Sequence, residues 1–153
     1  MPVAGSRGRP YNRAISTAQK WATKLHTVVY RMSGGRIGGR MSNSPVLILL
    51  TTGRKSGNRI STPLFYLRDG DGYAVAASNG GSAGHPSWWL NLGADPLAAV
   101  EVDGSRIRVH AGELEGREKR RLWEGLVEMY PPYADYQKRT DRGIPVILLK
   151  PIS

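Results

Sequence analysis

Apolar residues of this chain fall into short runs that are separated by turns rich in Gly and Asp. Runs of this length, bounded by Asp-Gly turns, are typical of β-strands joined by hairpins. They predict strands over residues 46–52, 59–67, 73–78, 97–102, 105–111 and 144–149. Six short strands with few helices favour an α+β fold built on a small, mainly antiparallel β-barrel.

Helical patterns occupy stretches between and before these runs. They predict helices over residues 12–32, 86–92, 115–130 and 132–139. In the first of them, apolar side chains recur at steps of three and four residues, which defines one face of an amphipathic helix. Lys20, Lys24 and Arg31 lie off this face. The helix therefore either packs on the barrel or rests on an anionic membrane surface.

Length and composition indicate one domain with a basic N-terminal extension. At 153 residues the chain has the size of a single domain. Residues 1–11 are small, basic and rich in Pro and Gly, so we expect them to be disordered. Residues 33–44 form a glycine-rich linker, and residues 12–153 are expected to form the domain. No apolar run is long enough to span a membrane, and the N-terminus lacks the apolar core of a secretion signal.

The charge of the chain is unevenly distributed. Residues 1–68 hold twelve Lys and Arg and no acidic residue, whereas residues 69–153 hold ten basic and twelve acidic residues, so formal charges of +12 and −2 make up the net +10. A field of this polarity attracts an anionic partner, such as an acidic small molecule, a phospholipid surface or nucleic acid. The absence of cysteine excludes disulfides and thiol chemistry and is typical of a cytoplasmic protein.

The turn after the first predicted strand is a candidate binding site. Gly53-Arg54-Lys55-Ser56-Gly57 brings two cations and a hydroxyl to one corner of the sheet. Charge-assisted hydrogen bonds to phosphate or carboxylate are stronger than neutral ones, so the corner suits an anionic ligand. No Gly-Lys-Ser/Thr ends the loop, which excludes the usual loop that binds nucleoside triphosphates. The alternative is an exposed hairpin tip, where Lys, Arg and Gly are common.

A short predicted helix carries Trp88, Trp89 and Asn91. Adjacent helical residues diverge by about 100°, so one Trp can pack inward while the other faces a pocket. A flat aromatic side chain beside a polar amide suits a planar heterocycle. In the alternative interpretation, both Trp side chains simply belong to the hydrophobic core.

Three of the seven tyrosines, Tyr130, Tyr133 and Tyr136, fall within seven residues. With Pro132 as the first helical position, Tyr133 and Tyr136 share one helix face. Three phenols there combine apolar walls with hydroxyl donors, which suits a pocket for an organic molecule. Ordinary core packing is the alternative.

Several kinds of chemistry lack their residues in this chain. The three histidines are scattered, so the sequence predicts no metal site. Ser78 ends a predicted strand before a glycine loop, but no pair of His and acid is evident that would activate it as a nucleophile. Redox chemistry in such a chain depends on a bound organic cofactor.

Several segments of the chain resemble one known family. They are TTGRKSG, TPLFYLRDGD, AVAASNGG, HPSWWLNLGADP and MYPPYADYQKRTDRGIPVILL. In this order they are similar to the deazaflavin-dependent nitroreductases of actinobacteria, which are small quinone and nitro reductases. The similarity runs from about residue 12 to residue 151. It implies a split β-barrel and the reduced form of the 8-hydroxy-5-deazaflavin coenzyme F(420) as cofactor.

The resemblance also implies roles for individual residues. The coenzyme carries a phosphodiester and an oligoglutamate tail, which match the positive charge of the first half of the chain. Tyr133 is expected over the deazaflavin ring, and Tyr130 and Tyr136 around the acceptor. Ser78 is expected to orient the acceptor through its hydroxyl. The implied coenzyme-binding residues are Arg54, Lys55, Ser56, Pro63, Ala76, Ala77, Ser78, Asn79, Trp88 and Asn91.

One position departs from the family pattern. The family usually carries an Arg three residues before the proline that corresponds to Pro63, and this chain has Ile60 there, preceded by Arg59. Neighbouring residues of a strand point to opposite faces. Arg59 is therefore expected to reach the coenzyme only if a β-bulge re-aims it.

The implied activity is hydride transfer from the reduced coenzyme to a quinone or nitroaromatic acceptor. Two alternatives stay open, an FMN-dependent oxidoreductase on the same fold and a basic module that binds lipid or nucleic acid without catalysis. We expect no nucleic-acid partner, because no aromatic stacking platform accompanies the basic residues. A lipid-soluble quinone lies in a membrane, so we expect a cytoplasmic protein that contacts the inner face of the cell membrane peripherally, through residues 12–32.

Overall fold

The computed structural model describes residues 44–152. The predictions for residues 1–11, for the helix over 12–32 and for the linker up to residue 43 lie outside them. The described part contains seven strands and three α-helices, with one 3-10 helix. The strands are β1 Val46–Thr52, β2 Arg59–Phe65, β3 Leu67–Asp69, β4 Gly72–Ala76, β5 Leu97–Val102, β6 Ser105–Glu113 and β7 Val146–Pro151. The α-helices are α1 Ser87–Ala94, α2 Gly116–Met129 and α3 Pro132–Lys138, and the 3-10 helix covers Asn79–Gly81.

All seven strands belong to one sheet. Their order is β2-β1-β5-β6-β7-β4-β3, and every neighbouring pair is antiparallel. The two edge strands, β2 and β3, are consecutive in the chain and are separated only by Tyr66. The backbone N–H of Tyr66 donates to the carbonyl of Pro45 (3.2 Å), just before β1. A sheet whose first and last strands are joined by one residue has to curl back on itself, and the predicted α+β split barrel is confirmed.

The number of strands differs from the prediction. The pattern predicts one strand over 59–67, whereas the structure divides this run at Tyr66. Within residues 44–152, β2 pairs with β1 alone and β3 with β4 alone, so the run leaves one edge of the sheet and joins the other. Periodicity cannot reveal this step, because both strands continue the same apolar pattern.

Strand β4 is buried on both of its faces. Tyr73 and Val75 belong to the interior of the barrel, whereas Ala74 and Ala76 lie beneath α2 and α3. The small alanines let the helices approach the sheet closely. Two-sided burial explains why β4 is continuously apolar in sequence. The helices thus form an outer layer on one side of the barrel, with their own apolar cluster against the sheet.

The predicted turn between β5 and β6 is a two-residue hairpin. Asp103 and Gly104 both have positive φ, 50° and 79°, as a type I′ turn requires. No helix within the described ranges is long and apolar enough to cross a membrane.

Candidate functional site

The basic turn joins β1 to β2 and closes tightly on itself. The backbone N–H of Gly53 donates to the carbonyl of Asn58 (2.7 Å), and that of Gly57 donates to the carbonyl of Gly53 (2.8 Å). A Cβ atom at Gly53 would lie 2.7 Å from Ser56 Oγ and 3.3 Å from the Asn58 carbonyl oxygen, so a larger residue would displace the Ser56 hydroxyl and press on the backbone of the turn. Lys55 and Ser56 are exposed at the tip.

Helix α1 holds Arg54 in place. The side-chain oxygen of Asn91 accepts hydrogen bonds from the backbone N–H (3.1 Å) and from Nη1 (2.8 Å) of Arg54. The amide nitrogen of Asn91 donates to Thr51 Oγ1 (3.3 Å). Asn91 is 3% exposed and Thr51 is 2% exposed, so water does not compete for these bonds. Asn91 is predicted to bind a coenzyme. In the structure its side-chain amide is hydrogen-bonded to Arg54 and Thr51, so it positions Arg54.

The cations of the turn are not neutralised by neighbouring acids. The ion pairs found among the described residues involve Arg106 and Arg121, and neither Arg54 nor Lys55 takes part in one. Nitrogen donors that carry positive charge, close to a serine hydroxyl, are the chemistry that phosphate and carboxylate groups require. The donor set at this corner thus fits the anionic end of a coenzyme.

The outer face of β2 leads away from this turn. The register of β1 and β2 runs without a bulge from the Val46–Phe65 pair to the Thr52–Arg59 pair. Arg59 therefore shares a strand face with Pro63 and Phe65, and Ile60 lies on the other face. No bulge re-aims Arg59, so it stays on the face of Pro63, opposite to the face of Ile60 where the family pattern has its Arg.

The structure brings the three tyrosines together where α2 meets α3. Their ring centroids are 5.1 Å apart for Tyr130 and Tyr133, 6.1 Å for Tyr133 and Tyr136, and 6.3 Å for Tyr130 and Tyr136. The hydroxyls of Tyr130 and Tyr136 are 3.3 Å apart, within hydrogen-bond distance. Phe65, at the end of β2, packs edge-on against Tyr130 at 5.0 Å. The outer face of β2 thus connects the basic turn to the tyrosine cluster.

Two of these phenols are harder to ionise than an exposed tyrosine. Tyr133 is 6% exposed and belongs to the apolar layer between sheet and helices. Burial raises the pKa of Tyr133, and burial followed by the Tyr136 hydrogen bond raises the pKa of Tyr130. Both are hydrogen-bond donors at neutral pH. Within residues 44–152 the Tyr133 hydroxyl makes no hydrogen bond, so its donor is unused within this buried layer.

The loop after β4 has an unusual backbone. Asn79, Gly80 and Gly81 have φ values of 48°, 65° and 84°, a left-handed conformation in three consecutive residues. Ser78 precedes them and is 9% exposed. Its carbonyl accepts from the N–H of Gly81 (2.9 Å), while its hydroxyl makes no capping hydrogen bond to the 3-10 helix.

Three other predicted residues are buried. Ala77 and Trp88 lie in the barrel interior at 0% and 6% exposure, and Ala76 lies under the helices at 6%. Trp89 is half-buried and packs against the interior cluster. Among the predicted coenzyme-binding residues, these three offer little surface to a ligand, and Trp88 serves the hydrophobic core.

Sequence reasoning missed Arg142, in the connection between α3 and β7. Its guanidinium donates to the carbonyl of Ser78 (2.8 Å) across a separation of 64 residues. No local pattern marks such a contact, because neither the residue type nor its spacing distinguishes Arg142 from other surface arginines. Among the described residues, no group of three His, Cys, Asp or Glu side chains is arranged to hold a metal ion.

Known proteins resemble this chain in sequence and in fold. A family model described as F420H(2)-dependent quinone reductase matches residues 21–151. The F420H(2)-dependent quinone reductase Rv1261c of Mycobacterium tuberculosis is 40% identical over 130 residues, which is 82% of this chain and 87% of that protein. The solved structure of the F420-H2 dependent reductase FDR-A is 42% identical and has a TM-score of 0.65, covering 69% of this chain and 94% of its own. HutZ, a heme storage protein of Vibrio cholerae, is 12% identical with a TM-score of 0.56 over 84% of this chain and 91% of its own, a likeness of fold alone.

Proposed function

This chain belongs to the F420H(2)-dependent quinone reductase family, and we propose that it is an oxidoreductase that reduces a quinone with reduced coenzyme F(420). When bound, the coenzyme supplies the hydride; with one proton the quinone becomes the hydroquinone. The chain supplies binding, orientation and hydroxyl donors. Family membership favours this function over an FMN-dependent oxidoreductase and over a basic module without catalysis.

One observation carries the proposal: a single strand face joins the basic turn to the tyrosine cluster. Arg59 and Phe65 begin and end β2, and six steps along a strand span roughly 20 Å at about 3.3 Å per residue. Phe65 contacts Tyr130 at the far end. A coenzyme with a planar ring at one end and an anionic tail at the other suits a site of this length and polarity.

In this proposal the basic turn binds the anionic part of the coenzyme. Arg54 is oriented by Asn91 before any ligand arrives, which reduces the ordering cost of binding. Lys55 and Ser56 add an ammonium and a hydroxyl. Hydrogen bonds to charged groups contribute about 1.5–3 kcal/mol each, with exposed positions at the lower end. Pro63, Ser78 and Asn79 complete the proposed coenzyme-binding surface, and the buried Ala76, Ala77, Trp88 and Asn91 are proposed to belong to the site by supporting its wall from within.

The tyrosines and Ser78 form the proposed acceptor site. The neutral hydroxyl of Tyr133 donates to the quinone oxygen on which negative charge develops, and such a donor in a water-poor site stabilises the transition state. The hydrogen-bonded hydroxyls of Tyr130 and Tyr136 hold a proton beside it. Ser78 fixes the orientation of the acceptor with its hydroxyl, which is the proposed reason for the rigid loop around it.

The charge of the turn provides the test of coenzyme binding. We expect the double substitution Arg54→Ala and Lys55→Ala to raise the dissociation constant of coenzyme F(420) by at least about tenfold, since two charge-assisted contacts disappear. The measurement is a fluorescence titration of the purified protein, accompanied by menadione reduction with the reduced coenzyme. The control is Arg106→Ala with Arg108→Ala, which removes the same charge from β6. An unchanged dissociation constant in the first variant would contradict the proposed site.

Tyr133→Phe tests the other end of the site. Removing only the hydroxyl preserves the ring packing, so we expect menadione turnover to fall by about tenfold or more while coenzyme affinity changes little. Tyr73→Phe, inside the barrel, is the matched control. Parallel losses of turnover and coenzyme affinity would show that Tyr133 has a structural role only.

We also propose that one split-barrel domain over residues 12–153 acts at the inner face of the cell membrane, where a lipid-soluble quinone is available. The support is the sequence of residues 12–32, which combines an apolar helical face with Lys20, Lys24 and Arg31. Basic residues near an anionic bilayer contribute about 1 kcal/mol each.

A further inference from the structure

The loop after Ser78 has a strained backbone that needs support from outside the loop. Asn79 is left-handed without being glycine, and two left-handed glycines follow it. Residues in such regions of backbone space persist only where the surroundings over-determine them, and they cluster at functional sites. Within the loop, the N–H of Ser82 donates to the carbonyl of Asn79 (3.1 Å) and Asn79 Nδ2 donates to the carbonyl of Gly84 (3.0 Å). The Ser78 carbonyl accepts from the N–H of Gly81 (2.9 Å), and the carbonyls of Ala77, Ser78 and Ser82 also accept hydrogen bonds from one partner outside the loop.

Arg142 is that partner. Its Nη2 donates to the carbonyl of Ser78 (2.8 Å), its Nη1 to the carbonyl of Ala77 (3.3 Å) and its Nε to the carbonyl of Ser82 (3.0 Å). Nη1 also lies 3.1 Å from Nδ1 of His85. Since guanidinium only donates, this ring nitrogen accepts. One planar side chain therefore joins both ends of the loop.

The contacts of Arg142 are unusual for an arginine. It takes part in none of the ion pairs found among the described residues, so its charge serves backbone carbonyls. A guanidinium presents its N–H groups in a rigid plane, whereas a lysine ammonium is a compact point donor on a flexible stem. Only arginine can hold three carbonyls and a ring nitrogen at these positions at once.

Arg142 is itself held firmly. The side chain of Gln137 on α3 donates to the carbonyl of Arg142 (2.8 Å) and accepts from the N–H of Ile144 (3.0 Å). The N–H of Arg142 donates to Thr140 Oγ1 (3.3 Å). These bonds connect the arginine to the helix that carries Tyr133.

The loop also contacts that helix directly. A Cβ atom at Gly81 would lie 2.8 Å from the carbonyl oxygen of Tyr136, so the backbones of loop and helix are in van der Waals contact. Arg139 adds a longer bond from Nη1 to the carbonyl of Gly80 (3.4 Å). The position of Ser78 is thus tied to the tyrosine-bearing helix through Arg142 and through this packing.

We propose that Arg142 is a positioning residue, which clamps the Ala77–His85 loop against the tyrosine helix and so sets the Ser78 hydroxyl for the acceptor. Only the role of Ser78 toward the acceptor rests on the proposed function. The contacts between Arg142 and the loop are present in the chain without any ligand. Arg142 touches neither coenzyme nor acceptor in this account. Its effect on the reaction passes through Ser78.

The clamp is tested first without coenzyme. Hydrogen exchange of the full-length protein is compared for wild type, Arg142→Met, Arg142→Lys and the control Arg108→Met, which removes an exposed arginine of β6. We expect exchange in peptides covering residues 77–85 to rise at least about tenfold in both Arg142 variants, with β5 and β6 unchanged and the control like wild type. Exchange equal to wild type in both variants would overturn the proposal.

The link to Ser78 is tested by a double-mutant cycle on menadione reduction. We expect Arg142→Met to lower kcat by about tenfold or more in the wild-type background, as small misplacements of reacting groups do, and by less than about threefold beside Ser78→Ala. Coenzyme affinity should change much less than kcat. Equal losses of kcat in the two backgrounds would overturn the role through Ser78. A wild-type protein inactive with the coenzyme would instead refute the proposed function, and hydrogen exchange would still decide whether Arg142 clamps the loop.

Discussion

At the residue scale, the site depends on side chains that hold other side chains. Asn91 is the clearest case, because its amide accepts two hydrogen bonds from Arg54 and donates one to Thr51. The amide can make all three bonds only when its oxygen faces Arg54 and its nitrogen faces Thr51. An exposed arginine at the tip of a turn would otherwise sample many rotamers, and the buried amide selects one of them.

Asn91→Ala is expected to lower both stability and coenzyme affinity. The variant leaves the N–H of Arg54 without its partner, which costs about 1–3 kcal/mol of unfolding free energy, and it frees the guanidinium, which weakens binding. Chemical denaturation and the fluorescence titration measure the two effects. Thr51→Val is the matched control, since it removes only the hydroxyl at the far end of the network and should leave coenzyme affinity nearly intact. Wild-type affinity in Asn91→Ala would show that Arg54 needs no orientation.

The sequence revealed the members of this site only where they are close in the chain. The basic turn and the three tyrosines each fall within a few residues, so composition and spacing predict them as groups. The partners of these groups are distant. Asn91 is 37 residues from Arg54, and Arg142 is 64 residues from Ser78. Those pairings depend on how the barrel closes, which no local pattern encodes.

At the element scale, the site depends on how the loop after β4 docks on α3. The contact is backbone against backbone at Gly81, so neither side can yield by changing a rotamer. Helix α3 begins with Pro132 and carries Gln137 and Tyr136 on the faces that meet the loop and Arg142. The rigidity of this docking is what allows a serine on a glycine-rich loop to hold a defined position.

A glycine series separates the causes of this rigidity. Gly84→Ala meets no atom within 4 Å and is not left-handed, so we expect a change of less than about 0.5 kcal/mol in unfolding free energy. Gly80→Ala adds only left-handed strain, about 1–2 kcal/mol. Gly81→Ala adds the same strain and a Cβ atom 2.8 Å from the Tyr136 carbonyl oxygen, so it should cost more than Gly80→Ala and lower menadione turnover. Equal costs at Gly80 and Gly81 would mean that the docking is looser than described.

Most elements were predictable because their signals are local. The turn at Asp103-Gly104, the helix stop at Pro131 and the proline that opens α3 each act through the backbone of their own residues. The first residue of the last strand was not predicted correctly. The prediction begins this strand at Ile144, whereas β7 begins at Val146. Pro145 has no N–H to donate to a sheet, and the Ile144 N–H donates to the side chain of Gln137 (3.0 Å).

At the scale of the whole molecule, the field of the chain is polarised. The first 68 residues carry all of the excess positive charge, and the basic turn lies among them. The proposed partners, an anionic coenzyme and an anionic bilayer, would therefore be attracted to the same part of the sequence. Such a field accelerates encounter and weakens with rising ionic strength.

Substitution of Lys20, Lys24 and Arg31 by Glu tests the membrane contact in the full chain. Reversing three charges near an anionic surface should weaken pelleting with phosphatidylglycerol vesicles by at least about tenfold, while the coenzyme dissociation constant stays close to that of wild type. The control replaces Arg108 on β6 and Arg117 and Arg120 on α2 by Glu. It changes the net charge of the protein by the same amount as the first variant, but away from residues 12–32. If both variants lose vesicle binding alike, net charge alone explains it, and unchanged pelleting of the first variant would refute the contact.

The link at Tyr66 sets a limit on how this protein can change. Elsewhere, for example at Gly70-Asp71, an insertion would lengthen a surface hairpin at modest entropic cost. An insertion beside Tyr66 would instead let β2 and β3 move apart, and their outer edges, which pair with no other strand of residues 44–152, would become more accessible to a neighbouring molecule. Loop variation that changes substrate choice in a descendant of this chain is therefore expected at surface hairpins such as Gly70-Asp71. It is not expected in the Ala77–His85 loop that docks on α3, nor at Tyr66, where added length favours aggregation.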